Sequence, residues 1–324
     1  MAKRTEKLNA LIFIDTNILL DFYRIRKSDI SLKYLETIEA HRNILILNNQ
    51  VEMEFKKNRQ IVILEALGEI NKIPSGNLNV PTIFVEAKPI EMIQKAQKEI
   101  SSQQKKIRAR IDKLLTNPGT QDKVFQTLQR VFKTESEFNL NRENKKRYTI
   151  RKLALKRFAL GYPPRKKGDN SIGDAINWEW IIDCASRTDK HIIIVTRDSD
   201  YGLTHNDNSF LNDWLQIEFK DRISHRRKLI LTDKLSTAFK LVKIPVTQAM
   251  IEEEENVINF TSLKYSIRAM QEALKRSQEN FNLSGLQESM RQFQDTNKMD
   301  VFRKAFQSNI IKKDLKKEAD NSDI

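Results

Sequence analysis

Two short runs of apolar, largely β-branched residues, Leu11–Ile14 and Ile192–Val195, each give way abruptly to a polar turn that carries an aspartate. A run of this length bounded by turn residues reads as a strand buried on both faces, as in a parallel sheet. Ile44–Leu47 is a third such run and Leu229–Leu231 a fourth candidate. Helical periodicity fills the intervals, over Ile18–Arg24, Leu32–Ala40, Val51 to about Leu67, Asp174–Ala185 and Asp233 to about Val242. Parallel strands need crossover connections, usually helices, so the pattern predicts an α/β fold with a central parallel sheet. Composition agrees: 8 glycines and 7 prolines in 324 residues are too few for a sandwich or barrel built on many tight turns. An apolar content of 39% suffices for a real core.

The α/β pattern is split. Residues 68–89 carry Gly68, Pro74, Gly76, Pro81 and Pro89 and read as a loop. From Ile90 to Leu160 the pattern is helical, broken at Asn117-Pro118-Gly119 and closed by Gly161-Tyr162-Pro163-Pro164. We therefore expect an α/β domain over residues 1–245 with a helical insertion at 90–167. A helical extension over 246–324 follows, its apolar positions Leu263, Ile267, Met270 and Leu274, then Leu286, Met290 and Phe293, at helical spacing.

The formal charge is +14, and residues 91–167 alone hold 21 basic and 7 acidic side chains, so the whole excess lies in the insertion. Lys145, Lys146, Arg147, Arg151, Lys152, Arg165, Lys166 and Lys167 form its densest part. A solvated helix surface is the ordinary meaning of a charge run. Here, however, no acid intervenes between Glu143 and Asp169, which suits a face that follows phosphates without reading bases. Nucleic acid is the expected partner, ahead of an anionic membrane, because no aromatic-rich amphipathic helix accompanies the bases. No apolar run approaches a membrane span, Asp15 interrupts the N-terminal apolar stretch too early for a signal peptide, and the single Cys184 excludes an internal disulfide. The expectation is a cytoplasmic protein.

Carboxylates are the candidate chemistry. Asp15 and Asp198 follow the two central runs, where α/β sheets bind ligands. Each is equally a candidate helix cap. Asp174 follows Ser171 at capping-box spacing, and Asn49-x-x-Glu52 makes Glu52 a capping partner. Glu54 is turned about 200° around its helix from Glu52 and is left to face the sheet. Four carboxylates brought together repel, at about 4 kcal/mol for two unit charges 4 Å apart at an effective dielectric of 20. With oxygen ligands and no Cys/His cluster, the neutralising ion would be Mg²⁺ or Mn²⁺. Thr16, Asn17 and Thr196 are candidates to orient the acids, a local turn being an equal reading of Asn17. His41, His191, His205 and His225 show no metal spacing, though His205 follows the last acidic motif. Trp178, Trp180 and Cys184 read as core.

Four motifs occur in order: Phe13-Ile14-Asp15-Thr16-Asn17, Val51-x-x-Glu54-Phe55, Gly173-Asp174-Ala175-Ile176 and Val195-Thr196-Arg197-Asp198. Together they resemble the acidic signature of the PIN-domain nucleases, over about residues 10–67 and 168–245. The closest likeness is to larger bacterial members with a long helical insertion before the third acid. The resemblance implies a three-layer fold with a parallel sheet between helices. It also implies a Mg²⁺- or Mn²⁺-dependent endoribonuclease, often a toxin or a defence effector, leaving 5′-phosphate and 3′-hydroxyl ends. Asp15, Glu54, Asp174 and Asp198 match the family's acids, and Asp200, close to the last motif, is a candidate auxiliary metal ligand. The chain is much longer than small PIN toxins. Two other readings stay open: a nuclease for single-stranded or branched DNA, and a non-catalytic protein that binds nucleic acid, or a partner protein through its C-terminal helices.

Overall fold

The structure, a computed structural model, describes residues 8–25, 27–73, 81, 83, 87–165, 171–261 and 271. The apolar runs are strands. β1 (Ala10–Ile14), β2 (Leu45–Asn48), β4 (His191–Val195) and β7 (Leu229–Thr232) form most of a parallel sheet. Its remaining strand, β3 (Asn139–Leu140), comes from inside the basic segment and pairs with β2, giving the order β3-β2-β1-β4-β7. β1 is buried along its whole length, in register with β4 from Ala10 opposite His191 to Ile14 opposite Val195. The chain builds outward from β1 to β3, then crosses back to place β4 and β7 on the other side of β1. The crevice of such a sheet opens where this order reverses, at the carboxyl ends of β1 and β4.

Among the described residues up to 241 the α-helices are α1 (Thr16–Leu20), α2 (Ser28–Ala40), α3 (Asn49–Asn71), α4 (Lys88–Thr116), α5 (Pro118–Gln121), α6 (Lys123–Phe132), α7 (Lys146–Leu160), α8 (Gly173–Ser186), α9 (Asp213–Arg222) and α10 (Leu235–Leu241). α8 is buried on nearly all sides, with Trp178, Trp180 and Cys184 fully enclosed as their apolar neighbours required. Trp180 donates its indole N–H to the Leu47 carbonyl, 2.8 Å away, tying α8 to β2. Burial pushes the Cys184 thiol pKa well up, so it behaves as an apolar filler.

Several boundaries differ from the sequence reading. α3 runs through Gly68 to Asn71 rather than ending near Leu67, and Pro89 lies in the first turn of α4, where its missing N–H costs nothing. The cap of α3 is Asn48, whose Oδ1 accepts from Val51 N at 2.8 Å, while Glu52 pairs with Lys56. The basic segment also does more than decorate the surface. Leu128, Val131, Phe132, Phe138, Leu140, Ile150 and Ala154 join the core. Buried Arg59 of α3 holds Asp122, the cap of α6. A small antiparallel hairpin, β5 (Gly202–His205) and β6 (Asn208–Leu211), follows β4 and lay outside the sequence reading. Its two-residue turn, Asn206-Asp207, has positive φ at both positions, the type I′ geometry that matches strand twist. Gly202, at φ 153°, lies against the Phe210 carbonyl where a side chain has no room.

The chain divides into two compact units, residues 1–258 and 259–324. In the first, a helix beginning at residue 248 buries Met250 and Val257, and Glu254 accepts the N–H groups that open α10. The helical spacing noted at Leu263, Ile267, Met270, Leu274, Leu286, Met290 and Phe293 lies outside the described residues. Among those described, no helix is long and apolar enough to cross a membrane.

Candidate active site

Asp15 and Asp198 lie at the ends of adjacent parallel strands, at the crevice. Asp15 follows β1 directly; its backbone is extended, its N–H donates to the Val195 carbonyl of β4, and its carbonyl opens α1. The two readings of this residue are therefore compatible. Oδ1 caps α1 by accepting from Thr16 N at 2.6 Å, while Oδ2 accepts from Thr196 Oγ1 at 2.5 Å and Asn17 Nδ2 at 2.7 Å. Thr196 Oγ1 in turn accepts from Asp198 N at 2.9 Å, so one hydroxyl links the acids at the two strand ends. Asn17 also donates to that hydroxyl, joining the acid network beyond any local turn.

Glu54 reaches the site from α3, on the side opposite the Glu52–Lys56 pair. Its carboxylate accepts from Thr16 Oγ1 at 3.1 Å and Gln50 Nε2 at 2.8 Å. Gly173 makes this possible: a Cβ there would overlap Glu54 Oε1 and Gln50 Nε2. Asp174 lies in the first turn of α8, where the helix dipole favours a negative charge. Asp198 turns back to accept from Asp200 N at 3.1 Å. Asp174, Asp198 and Asp200 each offer a carboxylate oxygen within 4.8 Å of the others, a spacing suited to one hard cation. Asp200 thus joins two of the motif acids, Asp174 and Asp198, whereas Asp15 and Glu54 lie outside this group.

Electrostatics ties the remaining acids to this triad. Burial, with the charges of Glu54 and Asp198, raises the Asp15 pKa to about 6, although the Thr196 hydrogen bond opposes the shift. Tyr201, which the sequence reading passed over, is fully buried and donates to the Asp174 carbonyl at 3.3 Å. Its phenol is held far above its ordinary pKa by burial and by the fields of Asp174, Asp15, Asp198 and Glu54, so it feels all four motif acids. A tyrosine three residues after Asp198, between Asp200 and Gly202, was the available signal. Ser171 orients the start of α8 by accepting from Gly173 N.

The residues fit a divalent cation. The donors are all oxygen, the crowded carboxylates need a positive charge, and Asn17 Oδ1 is buried without a hydrogen-bond partner beside Asp15. His205 is exposed at the hairpin tip, and His41 and His191 spend Nδ1 on backbone groups. The basic residues are distributed differently. Lys145, Lys146, Arg151, Lys152 and Arg165 are exposed and Arg147 is half-buried against Tyr148, whereas Lys166 and Lys167 lie outside the described residues. Arg157, within the same run, is buried and pairs with Glu179 and Glu218.

A family model described as a PIN domain matches residues 12–201, more than half of the chain, from within β1 through Tyr201. No curated protein and no solved structure matches. With a parallel sheet between helices and an acidic cluster at its switch point, the chain belongs to the PIN domain family of metal-dependent nucleases.

Proposed function

We propose that the protein is an endoribonuclease that hydrolyses phosphodiester bonds with Mg²⁺ or Mn²⁺, leaving 5′-phosphate and 3′-hydroxyl ends. The observation that carries this reading is the convergence of Asp174, Asp198 and Asp200 within 4.8 Å, beside a buried Asp15 held by Thr196. Asp15, Glu54, Asp174 and Asp198 are the proposed catalytic acids, and these with Asp200 the proposed metal ligands. When bound, a divalent cation supplies charge neutralisation at the phosphate and a water of lowered pKa. The protein's own contribution is positional. Thr16 and Gln50 fix the Glu54 carboxylate, Thr196 and Asn17 fix Asp15, and Tyr201 excludes water from beneath the cluster. Preorganised groups of this kind need no rearrangement as charge develops.

Lys145, Lys146, Arg147, Arg151, Lys152, Arg165, Lys166 and Lys167 are the proposed phosphate contacts. RNA is placed ahead of DNA on the family resemblance, which also suggests a toxin or defence role; a cytoplasmic setting is proposed from composition. Residues 1–245 would form the nuclease domain, with the basic insertion at 90–167 gripping substrate. The extension at 246–324 would take a protein partner. Incubating the protein with total RNA and with plasmid DNA, in Mn²⁺ or in EDTA, tests the reading. Mn²⁺-dependent RNA fragments that a 5′-phosphate-dependent exonuclease degrades are expected. DNA cleavage alone would move the substrate, and no cleavage of either would leave a binding protein.

A further inference from the structure

Tyr162 and Trp214 form a ring pair at the surface, centroids 5.0 Å apart and planes tilted by 44°. They are 38% and 46% exposed, while Trp178 and Trp180 are fully buried, so these rings are not part of the core. Both are held firmly. Gly161 caps α7 in the left-handed conformation, at φ 73°, and the Tyr162 N–H returns to the Arg157 carbonyl. The buried Arg157 guanidinium bonds Glu179 of α8, Glu218 of α9 and the Pro163 carbonyl. Trp214 stands one turn before Glu218 on α9, and its N–H donates to the Asn212 side chain. Asn212 N donates to the Tyr201 carbonyl, and the Tyr201 phenol donates to Asp174. The ring pair is therefore wired to the acidic cluster through two hydrogen-bonded residues.

We infer that the Tyr162–Trp214 pair is a stacking platform for an unpaired base of the substrate strand, next to the phosphate held at the acids. The inference rests on the nuclease reading for its ligand class. Three observations favour a nucleic acid over an apolar protein surface. The pair lies at the carboxyl end of the basic helix α7, where Arg165, exposed, packs its guanidinium over Phe158 at 4.4 Å. The same helix also carries exposed Arg151 and Lys152. The platform also continues directly into the acid-bearing loop. Rigid aromatic faces beside a basic track are how single strands are held without sequence preference, whereas a duplex keeps its bases stacked on each other. The substrate class is therefore single-stranded.

The test is a binding titration in EDTA, so that no cleavage intervenes. It uses a short labelled single-stranded RNA, the same RNA with one abasic site, and a duplex. Trp214→Ala should lose about fivefold or more in affinity for the single strand, the lower end of what removing one base–aromatic stack costs. Trp214→Phe should retain most of it. The slope of log K against log salt should be unchanged, since stacking releases no counterions. The abasic RNA should bind the wild type more weakly and Trp214→Ala no more weakly still. Far-ultraviolet circular dichroism and an unchanged melting temperature confirm that the variant folds. Equal affinity of wild type and Trp214→Ala for the single strand would overturn the inference, as would an equal loss on duplex. Cleavage with Mn²⁺ by the wild type, run alongside, reports separately on the nuclease centre.

Discussion

Asp15 shows how one residue carries both structure and function: it starts α1 with one oxygen and faces the acids with the other. Its titration gives a prediction for the metal-free protein. The carboxyl rises from 3.8 to about 6 on folding, mainly through burial. Between these values the native state holds a proton that the unfolded chain has released, so stability falls as pH rises through that window. The full cost, on the order of 3 kcal/mol, is present above it. Urea unfolding in EDTA should show wild type losing stability relative to Asp15→Asn from about pH 4 to pH 6; a constant difference would contradict the assignment. Gly173 gives the second prediction. In Gly173→Ala the new methyl must displace the Glu54 carboxylate, a flexible group. Cleavage should therefore fall at least about tenfold while the melting temperature barely moves, since alanine suits a helix better than glycine. Asp15, Glu54, Asp174 and Asp198 were legible because each stood at a strand end or a helix start in fixed order. The roles of Gly173 and Tyr201 were not, because each depends on a neighbour distant in sequence.

At the scale of elements, α7 joins two kinds of basic residue that look alike in the chain. Ile150, Ala154 and Arg157 share the buried face at helical spacing, while Lys145, Lys146, Arg151 and Lys152 face outward. Replacing Lys145, Lys146, Arg147, Arg151 and Lys152 by glutamine should weaken binding to every single-stranded sequence. If five phosphate contacts are lost, the slope of log K against log salt should fall by about 3.5. Unchanged affinity and slope would mean that this face is merely solvated. Arg157→Ala should behave oppositely. It removes one of the two arginines that hydrogen-bond the charged form of Glu179 and hold its pKa down against burial, Arg222 keeping the other side. Denaturant unfolding should show a loss of about 1–3 kcal/mol, as when one hydrogen-bond partner of a buried charged group is removed. A stability equal to wild type would place Arg157 with the surface residues. β1, β2 and β4 were legible as apolar runs because they are buried almost throughout. β3, at two residues, and the exposed hairpin β5–β6 carry no such run, and their pairing is set by the sheet edge and by the Asn206-Asp207 turn.

On the scale of the whole molecule, strand order turns a linear series of motifs into a site. Because the chain reverses between β1 and β4, residues 15 and 198 come to lie at one crevice, and α3 and α8 bring Glu54 and Asp174 to it from the side. The segment from 90 to 167, read from its charge as an insertion, supplies both an edge strand and part of the core, so removing it should expose β2 and Leu47. The central claim is that the acids act as one metal-dependent centre. Its most direct test is the initial rate of RNA cleavage against Mn²⁺ concentration for wild type and Asp15→Asn, a nearly isosteric change that keeps a capping oxygen. The account predicts a rate that saturates with Mn²⁺ in the wild type and falls at least about a hundredfold in a variant with an intact circular dichroism spectrum. Wild-type rates in Asp15→Asn, or cleavage indifferent to Mn²⁺ and EDTA, would contradict it.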